Sequence, residues 1–211
     1  MASVPTWHFV PVGSPSKFRS VGTTTVSRTL EIGTHMSTNY ITDAVKAIIG
    51  ARTDWIESTH PVQESEIRRF FQATMDPSPR YWDEKWASKS RYGKPVAPPA
   101  FAVHAFRRGV NELDDPLDRM DDPDFDGVSR MLRPGLPNVP VPLSGILNGG
   151  YDYEFYSYPK VGERIISRSS YKDIYQREGK SGPMVFVLVE DEYASGDGRP
   201  LLKSVNTNIM R

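Results

Sequence analysis

The sequence predicts an α+β fold in which an antiparallel sheet wraps around one central apolar helix. Residues 100–108 are apolar on nearly every side, which is typical of a buried helix. Pro98 and Pro99 stand just before them and suit a first helical turn, because proline has no amide hydrogen to leave unpaired. Segments with strand composition fill the last third of the chain, at 143–158, 163–177, 183–194 and 201–210.

Shorter elements precede the apolar helix. Residues 40–51 have apolar side chains at helical spacing, with Thr42 or Asn39 as the N-cap and Gly50 as the stop. Residues 55–62 are a candidate short strand. These patterns place a helix and a strand ahead of the central part of the chain.

A second amphipathic helix is predicted at 65–74, with Ser65 as its N-cap. Pro77 and Pro79 follow it and end it, since each proline pushes the preceding residue out of the helical region. The segment from Asp76 to the apolar helix is therefore predicted to be a turn followed by a linker.

Three features of the strand-rich region carry specific predictions. The continuous apolar run at 185–189 indicates a strand that is covered on both faces. Asp197 and Gly198 predict a turn between the last two strands. Gly149 and Gly150 indicate a close approach of the backbone to a ligand or to a partner chain.

Composition narrows the classes of function. The 211 residues include 26 basic and 26 acidic side chains, so no overall field attracts nucleic acid or an anionic membrane. There is no cysteine, which excludes thiolate chemistry and permits a reducing compartment. No apolar run is long enough for a membrane span, and the start lacks the pattern of a secretory signal. We expect a cytoplasmic protein with no nucleic-acid or membrane partner.

The predicted domain spans residues 39–211, after a tail at 1–38 that is read as a disordered tail, a leader or a cloning remnant. An insertion rich in proline and aspartate occupies about 110–142. A calcium loop is the alternative for this insertion, but the Asp-x-Asp-x-Asp-Gly spacing and the later glutamate are absent. The sequence favours a solvated loop or lid and predicts no metal site.

Several segments together resemble the MaoC-like acyl-CoA hydratases and dehydratases, which have the hot-dog fold. The segments read Asp76-Pro-Ser-Pro-Arg-Tyr-Trp-Asp-Glu, Ser90-Arg-Tyr-Gly, Ala97-Pro-Pro, Gly149-Gly-Tyr-Asp-Tyr-Glu-Phe and Gly179-Lys-Ser-Gly-Pro-Met-Val-Phe-Val. Each is weak alone, but their order and spacing are similar to those of the amino-terminal half-domains of that family. The resemblance implies a single hot-dog fold and a coenzyme A thioester as substrate, without a cofactor.

The resemblance also marks the catalytic positions, and this chain departs from them. Family members hydrate a 2-enoyl thioester with the Asp and His of Asp-x-Asn-Pro-x-His, and a backbone amide at the head of the central helix binds the thioester oxygen. The matching positions are Asp76, Ser78 and Tyr81, with Pro98-Pro99 where catalytic halves have His-Gly. A tyrosine is a poor base near neutrality and proline has no donor. The structural alternative is that Asp76 pins a turn and Tyr81 packs with Trp82.

Other candidate site residues follow from the same comparison. Arg80, Lys89, Arg91 and Lys94 form a basic run that would meet the phosphates of coenzyme A, with a solvated face as the alternative. Ser78, Pro98, Pro99, Gly150, Arg80 and Arg91 are the candidate substrate-binding residues, and Asp76 and Tyr81 are degenerate catalytic positions. His104 is expected to be buried or interfacial.

The first functional hypothesis is a non-catalytic subunit of a heteromeric enoyl-CoA hydratase or dehydratase. Its partner would be a MaoC-like subunit that carries the Asp and His, and this chain would make room for a bulky or long acyl group, such as a steroid side chain or a fatty acyl chain. The alternatives are a homodimeric hydratase or thioesterase that uses Asp76 and Tyr81, and a non-enzymatic acyl-CoA binding module.

Overall fold

A five-stranded antiparallel sheet dominates the structure, a computed structural model that describes residues 38–105, 121–124, 132–180 and 182–211. The strands lie in the order β1-β3-β4-β5-β2. They are β1 Ile56–Glu57, β2 Ile146–Phe155, β3 Ile165–Gly179, β4 Gly182–Ser195 and β5 Pro200–Met210.

Burial alternates along the central strand β4. Val185, Val187 and Val189 are fully buried on the face that holds the core, whereas Phe186 and Leu188 are only half-buried on the other face. The prediction of a strand covered on both faces is therefore wrong. Both faces carry apolar side chains here, but among the described residues only the face of Val185, Val187 and Val189 is fully buried.

The predicted turn at Asp197-Gly198 is confirmed. The Gly198 amide donates to the Ser195 carbonyl at 2.8 Å, and Gly198 has a φ of 87°, which glycine adopts without strain. This turn joins β4 to β5 and sets their register, in which Asp191 pairs with Ser204.

The first helix, α1 Asp43–Ala47, is shorter than predicted but starts at the predicted cap. The hydroxyl of Thr42 accepts a hydrogen bond from the Val45 amide at 3.3 Å. Val45 is fully buried in the core, which explains why this helix docks on the sheet. Gly50, with a φ of 86°, lies in the turn beyond the helix.

The second helix, α2 Glu64–Ala73, begins before Ser65, so the prediction of Ser65 as its N-cap is wrong. Gln63 is the N-cap, and its carbonyl accepts from the amides of Glu66 and Ile67. The residue before this N-cap is held in place, because the Val62 amide donates to the Glu163 carbonyl at 2.8 Å. This hydrogen bond to the chain just before β3 sets the position at which α2 begins.

The first strand is shorter than predicted. Only Ile56–Glu57 pairs with β3, although 55–62 was the predicted strand. After it the chain continues to β3 through single contacts, such as Ser58 Oγ accepting from the Ile165 amide at 3.1 Å. The 3₁₀ turn Pro79–Tyr81 and α3 Glu84–Ser88 follow α2.

The apolar helix, α4 Phe101–Ala105, lies in the core as predicted, and residues 106–108 of the predicted helix lie outside the described residues. Phe101 and Ala102 are fully buried. The core divides into two clusters on the same concave face of the sheet, one around α4 and one around α1. The α4 cluster includes Ile67, Phe101, Ile165, Leu201 and Leu202, and the α1 cluster includes Val45, Tyr171, Val185, Val187 and Val189.

This arrangement confirms the predicted α+β class with an antiparallel sheet around an apolar helix. The predicted tail, at residues 1–37, and most of the predicted insertion, at residues 110–120 and 125–131, lie outside the described residues. Of the acidic residues in that insertion, Asp121, Asp122 and Asp124 are described, and all three are exposed.

Candidate functional site

The segment after α2 is a tight turn held by its own side chains. Asp76 Oδ1 accepts a hydrogen bond from the Ser78 amide at 3.1 Å, and Arg80 Nε donates to Ser78 Oγ at 2.9 Å. Met75, just before the turn, has a φ of 53°, in the left-handed region where the chain leaves the helix. Asp76 therefore fixes the local backbone, which is the structural role considered for it.

Tyr81 ends the 3₁₀ turn and is only 7% exposed. Its ring stacks on Phe71 of α2, with ring centroids 6.3 Å apart, rather than on Trp82 as expected. Trp82 is 55% exposed, and its Nε1 donates to the Pro77 carbonyl at 3.4 Å. The contact with α2 places the phenol beside Asp76 in the interior.

The environment of Tyr81 sets its protonation state. Burial, and next the charge of Asp76, raise the pKa of Tyr81 to about 12, against a smaller opposing effect of Arg80. Near neutral pH the phenol is protonated, so it can donate a hydrogen bond but cannot take a proton from water. A cleft of about 520 Å³ opens next to it, lined by Glu64, Ser65, Arg68, Phe71, Gln72, Tyr81 and Trp82.

The head of α4 offers no donor at either proline. Pro98 and Pro99 lack an amide hydrogen, and the amide of Ala97 is already bound to the Pro159 carbonyl at 2.9 Å. The Pro98 carbonyl accepts from the Phe101 amide at 2.9 Å, which closes the turn that begins the helix. An oxyanion placed against this pair of prolines would find no hydrogen bond from them.

A cleft rich in cations and tyrosines lies on the other side of Arg80. It encloses about 350 Å³, and we call it the basic cleft. Arg80 borders it through a hydrogen bond from Nη1 to the Tyr158 hydroxyl at 2.8 Å. The residues that line the basic cleft are Arg91, Tyr92, Val96, Tyr156, Ser157, Tyr158, Lys160 and Arg199.

The basic cleft carries a net positive charge. The Arg91 guanidinium lies over the Tyr92 ring, 4.9 Å from its centroid, and neither Arg91 nor Lys160 forms an ion pair within the described part of the chain. Arg199 is paired with Glu163 at 2.6 Å. Arg91 Nη2 also donates to the Tyr92 hydroxyl at 2.9 Å. Cations that have no acidic partner can bind phosphates, and a guanidinium can also stack on a flat heterocycle.

Arg80 and Arg91 were predicted from the sequence, whereas Lys160 and Arg199 were not, because they come from the chain around the start of β3 and from the β4–β5 turn. No local pattern links those stretches. Lys89 and Lys94, which belong to the same predicted basic run, are exposed and do not line the cleft. The structure therefore retains part of the predicted basic run and adds two cations from distant stretches.

A second polar site lies on the concave face of the sheet, between the two core clusters. Asp191 of β4 is 1% exposed and is bound by Arg133, with Nε to Oδ1 at 2.9 Å and Nη2 to Oδ2 at 2.7 Å. Ser169 Oγ also donates to Asp191 Oδ1, at 2.7 Å. Such a pair compensates the large cost of burying each charge alone.

This ion pair borders a cavity of about 310 Å³, which we call the polar cavity. This cavity was not predicted from the sequence. One signal was available: Asp191 continues the alternation of Val185, Val187 and Val189, so it had to face the core. The cavity is lined by Thr53, Ile56, Val103, Leu132, Arg133, Pro134, Tyr151, Ser167, Arg168, Ser169, Asp191 and Tyr193.

Within the described part of the chain a side chain at Gly150 would meet nothing within 4 Å, so a close approach of Gly150 to a ligand or a partner chain stays a prediction. It is Gly149 that lies close to a neighbouring strand, where an added Cβ would be 3.0 Å from the Thr207 carbonyl oxygen. Gly150 serves a different need, a φ of 118° at the β-bulge where the register of β2 shifts. It lies on β2, away from the turn at Asp76.

His104 lies on α4 between the rings of Phe70 and Phe101, with centroids 5.2 and 5.5 Å away. It is half-buried, in keeping with a packing role. Within residues that the structure describes, no three side chains of His, Asp or Glu are grouped as a metal ion requires. None of the described helices combines the length and apolar character needed to cross a membrane.

The comparisons with known proteins agree with this architecture. A chain of the ChsH1-ChsH2 complex from Mycobacterium tuberculosis is 19% identical, with a TM-score of 0.58 over 79% of this chain and 88% of that one. A protein described as a MaoC-like dehydratase is 16% identical, with a TM-score of 0.54 over 79% of this chain and 43% of that one. A search of curated protein sequences gave no significant match.

An antiparallel sheet around a short apolar helix, with these structural relatives, defines a hot-dog fold. The family described as "FAS1-like, dehydratase domain region" matches residues 47–204, which is most of the chain. The protein therefore belongs to this family, among the MaoC-like hot-dog proteins.

Proposed function

We propose that this chain is the non-catalytic subunit of a heteromeric enoyl-CoA hydratase or dehydratase. One observation carries the proposal: the base and the oxyanion donor of the family's catalytic halves are replaced here by a buried, protonated Tyr81 and by Pro98-Pro99. General acid–base catalysis is worth about 10²–10⁴ in rate, and one oxyanion donor about 10²–10³. A chain that lacks both retains little of the reaction.

The basic cleft supports a coenzyme A thioester as the ligand. Arg91 and Lys160 have no acidic partner in the described part of the chain and can bind phosphate oxygens, and the Arg91 guanidinium, which lies on the Tyr92 ring, offers a flat surface for the adenine. Arg80, predicted to bind substrate, positions Tyr158 at the border of this cleft through its hydrogen bond. Ser78 would act one step further away, as the acceptor for Arg80 Nε.

The edge strand β2 supports a partner subunit. It pairs only with β5 in the described sheet, and nearly all of its residues are exposed. An unprotected edge strand of this length tends to pair with another chain. In our proposal the partner is a MaoC-like hot-dog subunit that supplies the catalytic Asp and His, and the acyl group lies between the two subunits.

The acyl group would be bulky or long, such as a steroid side chain or a fatty acyl chain. The exposed aromatic side chains of β2 offer it an apolar wall. The alternatives make different demands: a homodimeric hydratase or thioesterase would need Asp76 and Tyr81 for turnover, and an acyl-CoA binding module would have no activity in any assembly.

The experiment compares the full chain purified alone with the chain co-expressed with the product of a neighbouring reading frame that encodes Asp-x-Asn-Pro-x-His. We expect the chain alone to hydrate 2-enoyl-CoA esters at trace rates, and the co-purified complex to reach about 10 s⁻¹, a typical enzyme rate. Turnover near that value by the chain alone would refute the non-catalytic assignment. A complex that binds acyl-CoA but turns nothing over would favour the binding module.

A further inference from the structure

The edge strand β2 presents a row of stacked aromatic rings on the concave face. Tyr151, Tyr153 and Phe155 follow each other at alternate positions, with ring centroids 5.6 and 5.7 Å apart and planes within 15° of parallel. They are 43%, 43% and 50% exposed. We call this row the aromatic wall. It is a flat apolar surface without a partner in the described structure.

The aromatic wall leads into the polar cavity. Tyr151 belongs to both, and the register places Tyr153 opposite Ser204, which in turn lies opposite Asp191. At one end of the aromatic wall Phe155 offers only hydrocarbon. Toward the other end, Tyr153 and Tyr151 carry hydroxyls, and Tyr151 lines the polar cavity together with the Arg133–Asp191 pair. The surface has a direction, apolar at one end and polar at the other.

The two phenol hydroxyls at the polar end are unused. Neither Tyr151 nor Tyr153 makes a hydrogen bond through its hydroxyl within the described part of the chain, whereas Asp191 is saturated by Arg133 and Ser169. A hydrocarbon placed over these hydroxyls would remove them from water without a partner, at a substantial cost. A ligand oxygen at this point would accept from them instead.

We propose that the aromatic wall and the polar cavity select an acyl group that carries an oxygen function, a ketone or a hydroxyl, at the end far from the thioester. The hydrocarbon part lies along the aromatic wall, and the distal oxygen accepts hydrogen bonds from Tyr151 and Tyr153 beside the Arg133–Asp191 pair. This inference rests on the proposed function, since it names the acyl group that the non-catalytic subunit accommodates.

The size of the expected preference follows from the hydrogen bonds between the two phenols and the ligand oxygen. Sites built to bond a substrate oxygen discriminate strongly against analogues that lack it, because the donors of the site are then left without a partner. The two phenols lie at a partly open wall, so we expect a preference of about tenfold to a hundredfold, well below that of a fully enclosed site.

The test measures the binding of paired saturated acyl-CoA thioesters to the full chain, in the assembly in which it purifies. Each pair has the same carbon skeleton, one member with a ketone at the penultimate carbon and one without, and both straight-chain and ring-terminated pairs are titrated by calorimetry. The saturated thioesters bind without being hydrated. We expect the ketone to bind more tightly, by at least about tenfold.

The variants Tyr151→Phe and Tyr153→Phe remove only the hydroxyls and keep the rings. In the double variant we expect the preference for the ketone to disappear while affinity for the plain acyl chain stays within about twofold. Tyr175→Phe is the matched control, because Tyr175 stacks on Phe186 on the opposite face of the sheet. It should retain the full preference.

The outcomes separate this inference from the proposed function. Equal affinity for both members of every pair, or a preference that survives in the double variant, would overturn the selection of a distal oxygen and leave the proposed subunit role standing. Failure of every acyl-CoA to bind would overturn both. Occupation of the wall by another part of the chain would appear as equal, weak binding that the tyrosine variants do not change, and would also overturn the inference.

Discussion

The turn at Asp76 and the polar cavity at Asp191 each contain an acidic side chain, half-buried at Asp76 and fully buried at Asp191, and they hold it differently. Asp76 bonds to Ser78, two residues away in the chain. Asp191 is held by Arg133, 58 residues away, and by Ser169, 22 residues away. The first carboxylate shapes a local turn, whereas the second ties three stretches of chain across the sheet. The carboxylate at Asp76 therefore serves a local turn, and the fully buried carboxylate is that of Asp191.

The largest difference is expected in stability. Arg133→Met leaves the Asp191 carboxylate buried without its cation, and removing one partner of a buried pair costs about 3–5 kcal/mol. Asp76→Ala removes one local hydrogen bond, so the expected loss is about 1 kcal/mol or less. Urea denaturation of the full chain measures both.

Lys46→Met is the matched control for the loss of a cation, because the Lys46–Asp43 pair is exposed and such pairs contribute about 0–1 kcal/mol. Equal losses for Arg133→Met and Lys46→Met would show that the buried pair does not hold the sheet and its covering chain together.

The second effect concerns Tyr81 at alkaline pH. Its pKa is about 12 in the folded chain and about 10 when unfolded, so the unfolded state loses its proton first. The stability that this gives is present below pH 10 and falls as pH rises toward 12, by about 1–3 kcal/mol in total. Denaturation at pH 8 and above should show a shallower decline for Tyr81→Phe than for the unchanged chain. An identical decline would mean that Tyr81 is not protected by burial beside Asp76.

A smaller effect is expected at the bulge of β2, which aims Tyr151 at the polar cavity. Gly150→Ala forces a side chain into a φ of 118°, at a cost of about 1–3 kcal/mol. The Gly150 carbonyl also accepts a hydrogen bond from Asn206 Nδ2 at 3.1 Å. Thermal melting measures the loss. The neighbouring change Asp152→Ala, at an exposed position of the same strand, should leave the melting temperature nearly unchanged. A neutral Gly150→Ala would show that the bulge relaxes freely.

Local contacts could be predicted from the sequence, whereas contacts between distant stretches could not. Helix α4 and strands β2 to β5 follow from local patterns of apolar residues and from proline and glycine, so they were predicted. The start of α2 follows the Val62–Glu163 contact, which no local pattern shows, and β1 ends at Glu57 although its local pattern continues to Val62. The same holds for the basic cleft, where Lys160 and Arg199 come from distant loops.

The polar cavity was missed for a related reason. Asp191 stands between Glu190 and Glu192, and a run of acidic residues in a strand suggests a solvated face. Its alternation with Val185, Val187 and Val189 was the only local sign of burial. The cation that neutralises it, Arg133, lies in a proline-rich stretch. The motif at Asp76 had the opposite property: it was easy to find in the sequence, but its geometry is that of a turn.

The most direct test of the central claim is the hydration rate of a 2-enoyl-CoA by the active assembly that contains the Asp76→Ala, Tyr81→Phe double variant. Loss of a working acid–base pair would cost about 10²–10⁴ in rate. If this subunit is the non-catalytic one, the rate should stay within about tenfold of that of the unchanged assembly, a loss smaller than the acid–base range. A loss of about a thousandfold, with the assembly still folded and still binding acyl-CoA, would show that Asp76 and Tyr81 perform the chemistry.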